Sequence, residues 1–533
     1  MRSVGKGGHR KTRAEWLVAA GIVIEKAEEF GRCVETQEHS AAEILRGDKW
    51  FPVRDGGPVD GPVGLCYNAS RIAGKEPMNP FLIRSVVYPI YRRLKGDHVL
   101  AHLGEMRRVQ VWEPERIRKF QWDKVKRLLK YSHRHVPYYR EMFNRVGASP
   151  EDLKTWDDLR GLPILRKKNI RENTDAMISE IYPRNRLHPN STGGSTGEFL
   201  HFYVDRNASE ARRANNARMN EWIDIRIGDK MAMLWGTAFD VRRSNRMIKG
   251  LRNWFSNTLS LSAYTMGAER VDEYITRLKR FKPDLMIGYP SALTHFSESM
   301  ARRVNGIRPR AVLVSGETLY EWQRGVIEEA FSAPVYNHYG CREFGALARE
   351  CKIRNGLHIA CERALVEEEL VTDPESGEQV TELLITDLDN FGMPLIRYAI
   401  EDIGSVTWER CECGLGLPRL RSAVGRIFDV VRAPNGNFLG GTFWTILLRK
   451  VKGIERFQVI QDRLDHITIA VIPTEEFSGE TRRYVEEKVA EACGPDMHVG
   501  FDFRERLEAT PMGKHRFVIS KIGLRRAGEE GRP

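Results

Sequence analysis

Residues 188–205 read HPNSTGGSTGEFLHFYVD, and the parsing of this run decides the rest of the chain. Gly193-Gly194-Ser195-Thr196-Gly197 fits G-x-S-x-G, the signature of a serine nucleophile elbow, while Ser191 to Gly197 equally fits a loop that wraps phosphate. An elbow requires a strand before its serine and a helix after it. Here polar Asn190-Ser191-Thr192 leads in, and Phe199-Leu200-His201-Phe202-Tyr203-Val204 leads out. The second run is rich in aromatic and branched residues and reads as a strand. The expected structure is therefore a turn between extended segments, its N–H groups and hydroxyls free either to surround an anion or simply to reverse the chain.

Around this run, between residues 160 and 400, strand-like and helix-like stretches alternate. Lys230–Trp235, Asp284–Tyr289, Ala311–Ser315 and Pro334–Asn337 read as strands, with helices over Val271–Phe281 and Glu321–Phe331. Such alternation predicts an α/β domain with mixed, mainly parallel sheets, whose ligands sit at the C-terminal ends of strands. After Arg426 the pattern changes to strands at Phe457–Ile460 and Ile467–Val471, a helix over Gly479–Ala492 and a strand at His498–Phe501, a separate small α+β domain. Three regions follow: an extension of unknown role over 1–80, broken by Gly56-Gly57-Pro58 and Gly61-Pro62, a large domain over 81–425, and a small C-terminal domain over 426–533. From Pro114 to Tyr131, Ile117, Phe120, Val125, Leu128 and Leu129 recur at helical spacing among basic residues, as in a helix packed on a domain body.

Lys+Arg 84 against Asp+Glu 72 leaves a charge of +12. Spread over 533 residues this is the mild excess of a basic enzyme, and no nucleic-acid partner is expected. No apolar run approaches the ~18 residues of a membrane span. Trp16 to Ile24 follows a basic start, but Glu25-Lys26-Ala27-Glu28-Glu29 comes next, without a small-residue cleavage site, so a cytoplasmic protein is expected. Of the eight cysteines, at 33, 66, 341, 351, 361, 411, 413 and 493, most crowd between 341 and 413 rather than forming the spread framework of a secreted, disulfide-bonded chain.

Five further segments bear on the glycine-rich loop: Val314-Ser315-Gly316-Glu317-Thr318, Tyr339-Gly340-Cys341-Arg342-Glu343, TDLDNFGMPLIRYAIED over 386–402, Gly425-Arg426 and Gly513-Lys514. In this order and spacing the chain resembles the adenylate-forming superfamily of acyl-CoA synthetases. It is most similar to the phenylacetate-CoA ligase branch through Tyr131 to Tyr139, Gly288-Tyr289-Pro290-Ser291 and Met393 to Tyr398. The resemblance covers residues 110 to 520. It implies an ATP- and acid-binding large domain and a small mobile domain carrying a catalytic lysine. A substrate carboxylate would attack the α-phosphorus of ATP, so positioning and charge cancellation, not an activated serine, would drive the reaction. On that resemblance Ser191, Thr192, Gly193, Gly194, Ser195, Thr196 and Gly197 hold the phosphates, and Glu343 binds magnesium. Tyr339 stacks on adenine against the backbone of Gly316 and Glu317, Asp402 binds the ribose hydroxyls, Arg426 supports the nucleotide, and Lys514 reaches the α-phosphate. A small carboxylic acid, aryl or otherwise hydrophobic, and CoA as acyl acceptor are the implied partners.

Two departures matter. After Arg426, where relatives carry an acidic hinge, stands Ile427-Phe428-Asp429, and the loop that lines the pantetheine tunnel reads Ala433 to Gly441, APNGNFLGG. An acceptor other than CoA (a carrier protein, an amine or a sugar hydroxyl) thus stays open beside the thioester. Separately, Cys351-x6-His358 and Cys411-x-Cys413 supply soft sulfur and imidazole ligands suited to a structural zinc ion, with Cys361 as the rival ligand; the alternative is four separately placed residues. His133 and His135 are expected to cap a helix end rather than bind metal. A hydrolase using Ser195 and a basic scaffold for membrane or nucleic acid are the competing functions.

Overall fold

The computed structural model describes residues 77–522 apart from 193–199, 236–252, 254–255, 264–267, 302–305, 373–378, 427–429, 436–437, 441–443, 445–446, 449–450 and 508–516. Of the extension expected over 1–80, residues 1–76 lie outside the described residues.

The run at 188–205 forms an antiparallel hairpin of β1 (His188–Thr192) and β2 (Leu200–Val204), in register from His188 opposite Val204 to Thr192 opposite Leu200. Seven residues, 193–199, connect the paired ends. That exceeds the 2–5 residues a hairpin needs to turn. A strand therefore follows the glycines, as the aromatic run predicts, and the elbow reading fails on its required helix. Helix α2 (Arg206–Glu221) begins only after β2, where the Asp205 side chain accepts from Ala208 N as N-cap.

Helix α1 (Pro114–His135) precedes this hairpin and is longer than its apolar pattern predicts. It buries Ile117, Val125, Leu128 and Leu129 in the main core. Each such side chain contributes about 1.5–3 kcal/mol. His133 and His135 do lie in its last turn, but their rings pack edge-on or tilted against Phe143 (5.3 Å) and Tyr131 (4.9 Å). The Arg134 carbonyl is instead satisfied by the Arg140 guanidinium at 2.9 Å.

One eleven-stranded sheet organises the large unit. Its parallel half is β3 (Met231–Trp235), β4 (Thr258–Ser262), β5 (Leu285–Gly288), β6 (Ala311–Ser315) and β7 (Val335–Cys341), in the order β4-β3-β5-β6-β7. The connecting helices include α3 (Ala268–Phe281), α4 (Pro290–Ala301) and α5 (Glu321–Phe331). All five residues of β6 are buried, as for a strand covered on both faces. The sheet continues antiparallel through β8 (Gly345–Glu350), β9 (Leu357–Ile359), β10 (Ala364–Thr372), β11 (Gln379–Asp387), β12 (Tyr398–Thr407) and β13 (Arg419–Arg426), in the order β8-β9-β13-β12-β11-β10. The sheet is thus mixed, with its parallel strands gathered on one side.

The C-terminal unit holds the short hairpin β14 (Val430–Arg432) and β15 (Phe438–Gly440), and a four-stranded sheet. That sheet contains β16 (Ile454–Arg463), β17 (His466–Pro473), β18 (His498–Phe503) and β19 (Val518–Ser520), in the order β18-β17-β16-β19. Helix α6 (Gly479–Cys493) follows β17, and Val485, Val489 and Cys493 join a core running from Val431 to Val518. Phe517 packs edge-on against Tyr320 of the large unit, ring centroids 5.8 Å apart. No described helix is long and apolar enough to cross a membrane.

Candidate active site

The parallel strands end where a ligand site is expected. Because β6 and β7 pair with Ser315 opposite His338, the next residues along each, Gly316 and Tyr339, stand side by side at the sheet's C-terminal edge. Gly316 has φ +86°, a backbone conformation that favours glycine and exposes the turn after β6. The Glu317 side chain turns away to α4, accepting from Ser291 N and Ser291 Oγ, each at 3.0 Å. An anionic carboxylate at a helix N-terminus satisfies free N–H groups and the helix dipole together.

Tyr339 Oη donates to Asp402 Oδ2 at 2.6 Å, so two residues distant in sequence meet across the sheet. Asp402 in turn faces Arg426 in the β12–β13 register. Glu343, in the turn between β7 and β8, is 6% exposed, and Tyr398 Oη donates to its Oε1 at 3.4 Å. Ser191 closes the hairpin side, its carbonyl accepting from Arg342 Nη1 at 3.2 Å. The structure thereby brings Ser191 and Thr192 at the end of β1, Gly316, Tyr339, Glu343 and Asp402 to one region. Gly193 to Gly197 and Lys514 lie outside the described residues, as do Ile427, Phe428 and Asp429.

The motif over 386–402 works largely as a clasp. Asp205 Oδ2 accepts from Phe391 N (2.7 Å) and Gly392 N (2.9 Å), and Asn390 Oδ1 accepts from Asp205 N at 3.1 Å, pinning the end of β2 to this loop. Arg397, fully buried at φ +49°, donates to Glu367 (3.1 Å), Glu369 (3.3 Å) and the Arg160 carbonyl (2.6 Å). One residue with no sequence signal joins the site. Arg212 of α2 donates to the carbonyl of Glu343 and, at 3.0 Å, to Asp387 Oδ2, and so holds the turn that carries Glu343. Trp235 at the end of β3 stacks on Tyr289 at 4.1 Å, an aromatic wall beside the same strand ends.

The cysteine–histidine set forms a second centre. The ligand atoms of Cys351, His358, Cys411 and Cys413 all lie within 4.8 Å of one another. Cys351 Sγ and Cys411 Sγ are 3.8 Å apart, and Cys413 Sγ is 3.2 Å from His358 Nε2. Two sulfurs ~2.3 Å from one tetrahedral zinc would be separated by about 3.8 Å. His358 Nδ1 faces the Leu417 carbonyl at 3.2 Å, the outer contact that fixes a ligating imidazole with Nε2 toward the set. The Cys413 thiol, hydrogen-bonding to Cys351, holds the Cys351 sulfur well below its ordinary pKa. The donor set therefore fits zinc. Cys361 is not part of it: its thiol is buried beside Glu362 and Arg218, which raises its pKa strongly by desolvation, and its carbonyl accepts from Gln121 Nε2 at 2.7 Å.

With this geometry in hand, comparison with known proteins is informative. A family model described as the CapK C-terminal domain matches residues 432–521. Protein CapK of Staphylococcus aureus is 25% identical over 402 residues, 74% of this chain and 86% of that protein. A phenylacetate-coenzyme A ligase of Thermus thermophilus is 23% identical over 395 residues, 71% of this chain and 86% of that protein. Among solved structures, 2-hydroxyisobutyryl-CoA ligase in the postadenylation state superposes with a TM-score of 0.61 at 20% identity, covering 78% of this chain and 91% of that one. The chain is a relative of the phenylacetate-CoA ligases and has the two-unit fold of the adenylate-forming superfamily.

Proposed function

We propose that the protein activates a carboxylic acid with ATP, forming an acyl-adenylate and pyrophosphate, and then passes the acyl group to CoA. The observation that carries this reading is the meeting of Gly316, Tyr339, Glu343 and Asp402 at the C-terminal edge of the parallel strands, beside the hairpin that leads into Gly193–Gly197. In the first step the acid's carboxylate oxygen attacks the α-phosphorus. The bond from that phosphorus to the bridging oxygen breaks, and its electron pair leaves on pyrophosphate. No proton needs to be moved, so the protein's task is electrostatic positioning. Asp402, oriented by Tyr339, takes the ribose hydroxyls. Glu343, an oxygen ligand held rigidly by its buried turn, suits magnesium, which would neutralise the departing phosphates. Arg426 on the neighbouring strand supports the nucleotide, the loop from Ser191 to Gly197 holds its phosphates, and Lys514 supplies the charge that meets the α-phosphate. The stacked Trp235 and Tyr289 favour an aryl or other hydrophobic acid.

Zinc, bound by Cys351, His358, Cys411 and Cys413, is structural in this reading, since four protein ligands leave no open position. Reduced thiols in such a set fit a cytoplasmic enzyme. A second acceptor is favoured by one observation: the C-terminal unit, which would meet the acceptor, matches a CapK domain, and its entry carries Phe428 and the run Ala433–Gly441 in place of the usual hinge and tunnel residues. A carrier protein, an amine or a sugar hydroxyl would then replace CoA.

The test is direct detection of product. Incubation with ATP, magnesium and a panel of carboxylic acids, analysed by mass spectrometry, should yield an acyl-AMP with at least one aryl or hydrophobic acid. ATP-independent ester hydrolysis lost in Ser195→Ala, with no adenylate from any acid, would overturn the reading in favour of a hydrolase.

A further inference from the structure

Strand β18 (His498–Phe503) stands at one edge of the small unit's sheet and, among the described strands, pairs with β17 alone. Its six residues keep one register along β17, from His498 opposite His466 to Phe503 opposite Val471, without a bulge. The strand holds neither lysine nor proline. Open sheet edges are normally blunted by such residues or by bulges, because their unpaired N–H and C=O groups recruit another strand. The opposite edge, β19, is only three residues long.

Two hydrogen bonds fix which groups face outward. His498 N donates to the Asp465 carbonyl at 2.8 Å, and Arg504 N donates to the Val471 carbonyl at 2.9 Å. The even-numbered residues therefore face β17, and the outward N–H and C=O groups belong to Val499, Phe501 and Phe503. An aromatic cluster lies beside them. Phe503, 52% exposed, packs edge-on against Phe477 at 5.0 Å and near-parallel to Phe501 at 6.5 Å.

The run from Asp496 to Arg504, DMHVGFDFR, complements itself. Turned antiparallel about Gly500, it sets His498 opposite Asp502, Asp496 opposite Arg504 and Val499 opposite Phe501, each pair occurring twice. Val499 and Phe501 then form the hydrogen-bonded pair, as their outward groups require. An axis one residue later, through Phe501, would keep the same parity but set two basic side chains, His498 and Arg504, against each other. Opposite charges facing across strands stabilise a pair and like charges destabilise it, so the charge pattern selects Gly500. There the two Gly500 residues meet as a non-hydrogen-bonded pair with Cα atoms ~4.5 Å apart, a close backbone approach for which glycine is suited.

We propose that β18 is a dimerisation edge, along which two copies of this chain pair antiparallel about Gly500 and join their four-stranded sheets into one continuous sheet. The pairing covers Phe503 and satisfies the outward backbone groups of both strands. It goes beyond the adenylation reading and does not depend on it. Because the paired strands belong to the small units, the two large units are carried on one shared sheet.

Sedimentation velocity of the full-length chain over a wide range of concentrations tests this. The wild type should pass from monomer to dimer. His498→Glu sets like charges against Asp502 at two symmetric places and should weaken dimerisation about tenfold, and His498→Glu with Asp502→Lys should restore it, all with unchanged thermal midpoints. Gly500→Cys should link two chains under mild oxidation, because the Cα spacing suits a disulfide and the added Cβ meets nothing nearer than His466 Nε2 at 3.5 Å. Phe501→Cys, two residues out of register with its own copy, should not link beyond the wild-type background. A wild type that stays monomeric at every concentration overturns the proposal and leaves the edge to a different protein's strand. A dimer indifferent to His498→Glu and unlinked by Gly500→Cys overturns it by placing the interface elsewhere, and linkage through Phe501→Cys instead of Gly500→Cys overturns the register.

Discussion

Tyr339 and Asp402 stand far apart in sequence and meet through one hydrogen bond of 2.6 Å. Hydrogen bonds to charged groups contribute ~1.5–3 kcal/mol. Asp402→Ala should therefore weaken ATP binding by about 10- to 150-fold, measured by equilibrium titration, and Tyr339→Phe should weaken it less because the ring remains. Equal affinity in Asp402→Ala and wild type would remove Asp402 from the ribose. The sequence reveals both residues because each sits in a motif of recognisable order. Arg212 was invisible for a physical reason: within RNASEARRANNARMNE an arginine reads as one more solvated charge. Only the fold shows that it supports Glu343. The commitment of the Glu317 side chain to Ser291 was equally hidden, since the two residues become neighbours only when β5 and β6 pair.

At the scale of elements, the five parallel strands were legible in large part because strands buried on both faces are near-continuous apolar runs. The antiparallel half was not, because β10 and β12 carry acids, ALVEEELVT and YAIEDIGSVT, that obscure a period of two. A buried acid on β11, between those two strands, has a consequence for stability. Burial, only partly offset by Arg166 at 3.6 Å, pushes the Glu382 carboxyl on β11 up to about 7 from an ordinary 4.5. The native state then holds a proton that the unfolded chain has released, so this contribution is complete below pH 4.5 and is lost as pH rises through 7. Glu382→Gln should flatten the fall in thermal midpoint between pH 5 and 8 relative to wild type; parallel curves would contradict it. The cysteine–histidine centre joins β9 to the turns at 351 and 411–413. Purified protein should carry about one equivalent of zinc, and Cys413→Ser should lose it with a marked drop in thermal midpoint, since structural zinc sites contribute on the order of 10 kcal/mol in small peptides. Metal-free protein of undiminished stability would refute the site. That these four residues form one cluster was legible from their types and spacing, but the exclusion of Cys361 required the fold.

For the whole molecule, the proposed function depends on how the small unit meets the large one. Phe517 packs on Tyr320, and Tyr320 follows the Gly316–Thr318 motif by two residues. Lys514 precedes Phe517 by three residues, at most ~11 Å of chain. The C-terminal unit was readable as a separate α+β domain from its change of pattern, whereas its aromatic contact with the large unit pairs residues almost two hundred apart and leaves no local trace. Adenylation and transfer to the acceptor should separate experimentally, because the groups proposed to act at the α-phosphate are all present in the sequence while Phe428 and the loop from Ala433 to Gly441 depart from the usual pattern. The most direct measurement is acid-dependent exchange of labelled pyrophosphate into ATP, with magnesium and without CoA. The proposed chemistry predicts exchange by the wild type with at least one hydrophobic acid, reduced but not abolished in Ser195→Ala, and about 10²- to 10³-fold slower in Lys514→Ala, as for loss of one transition-state donor. Exchange in Lys514→Ala at the wild-type rate, or none by the wild type with any acid, would contradict it.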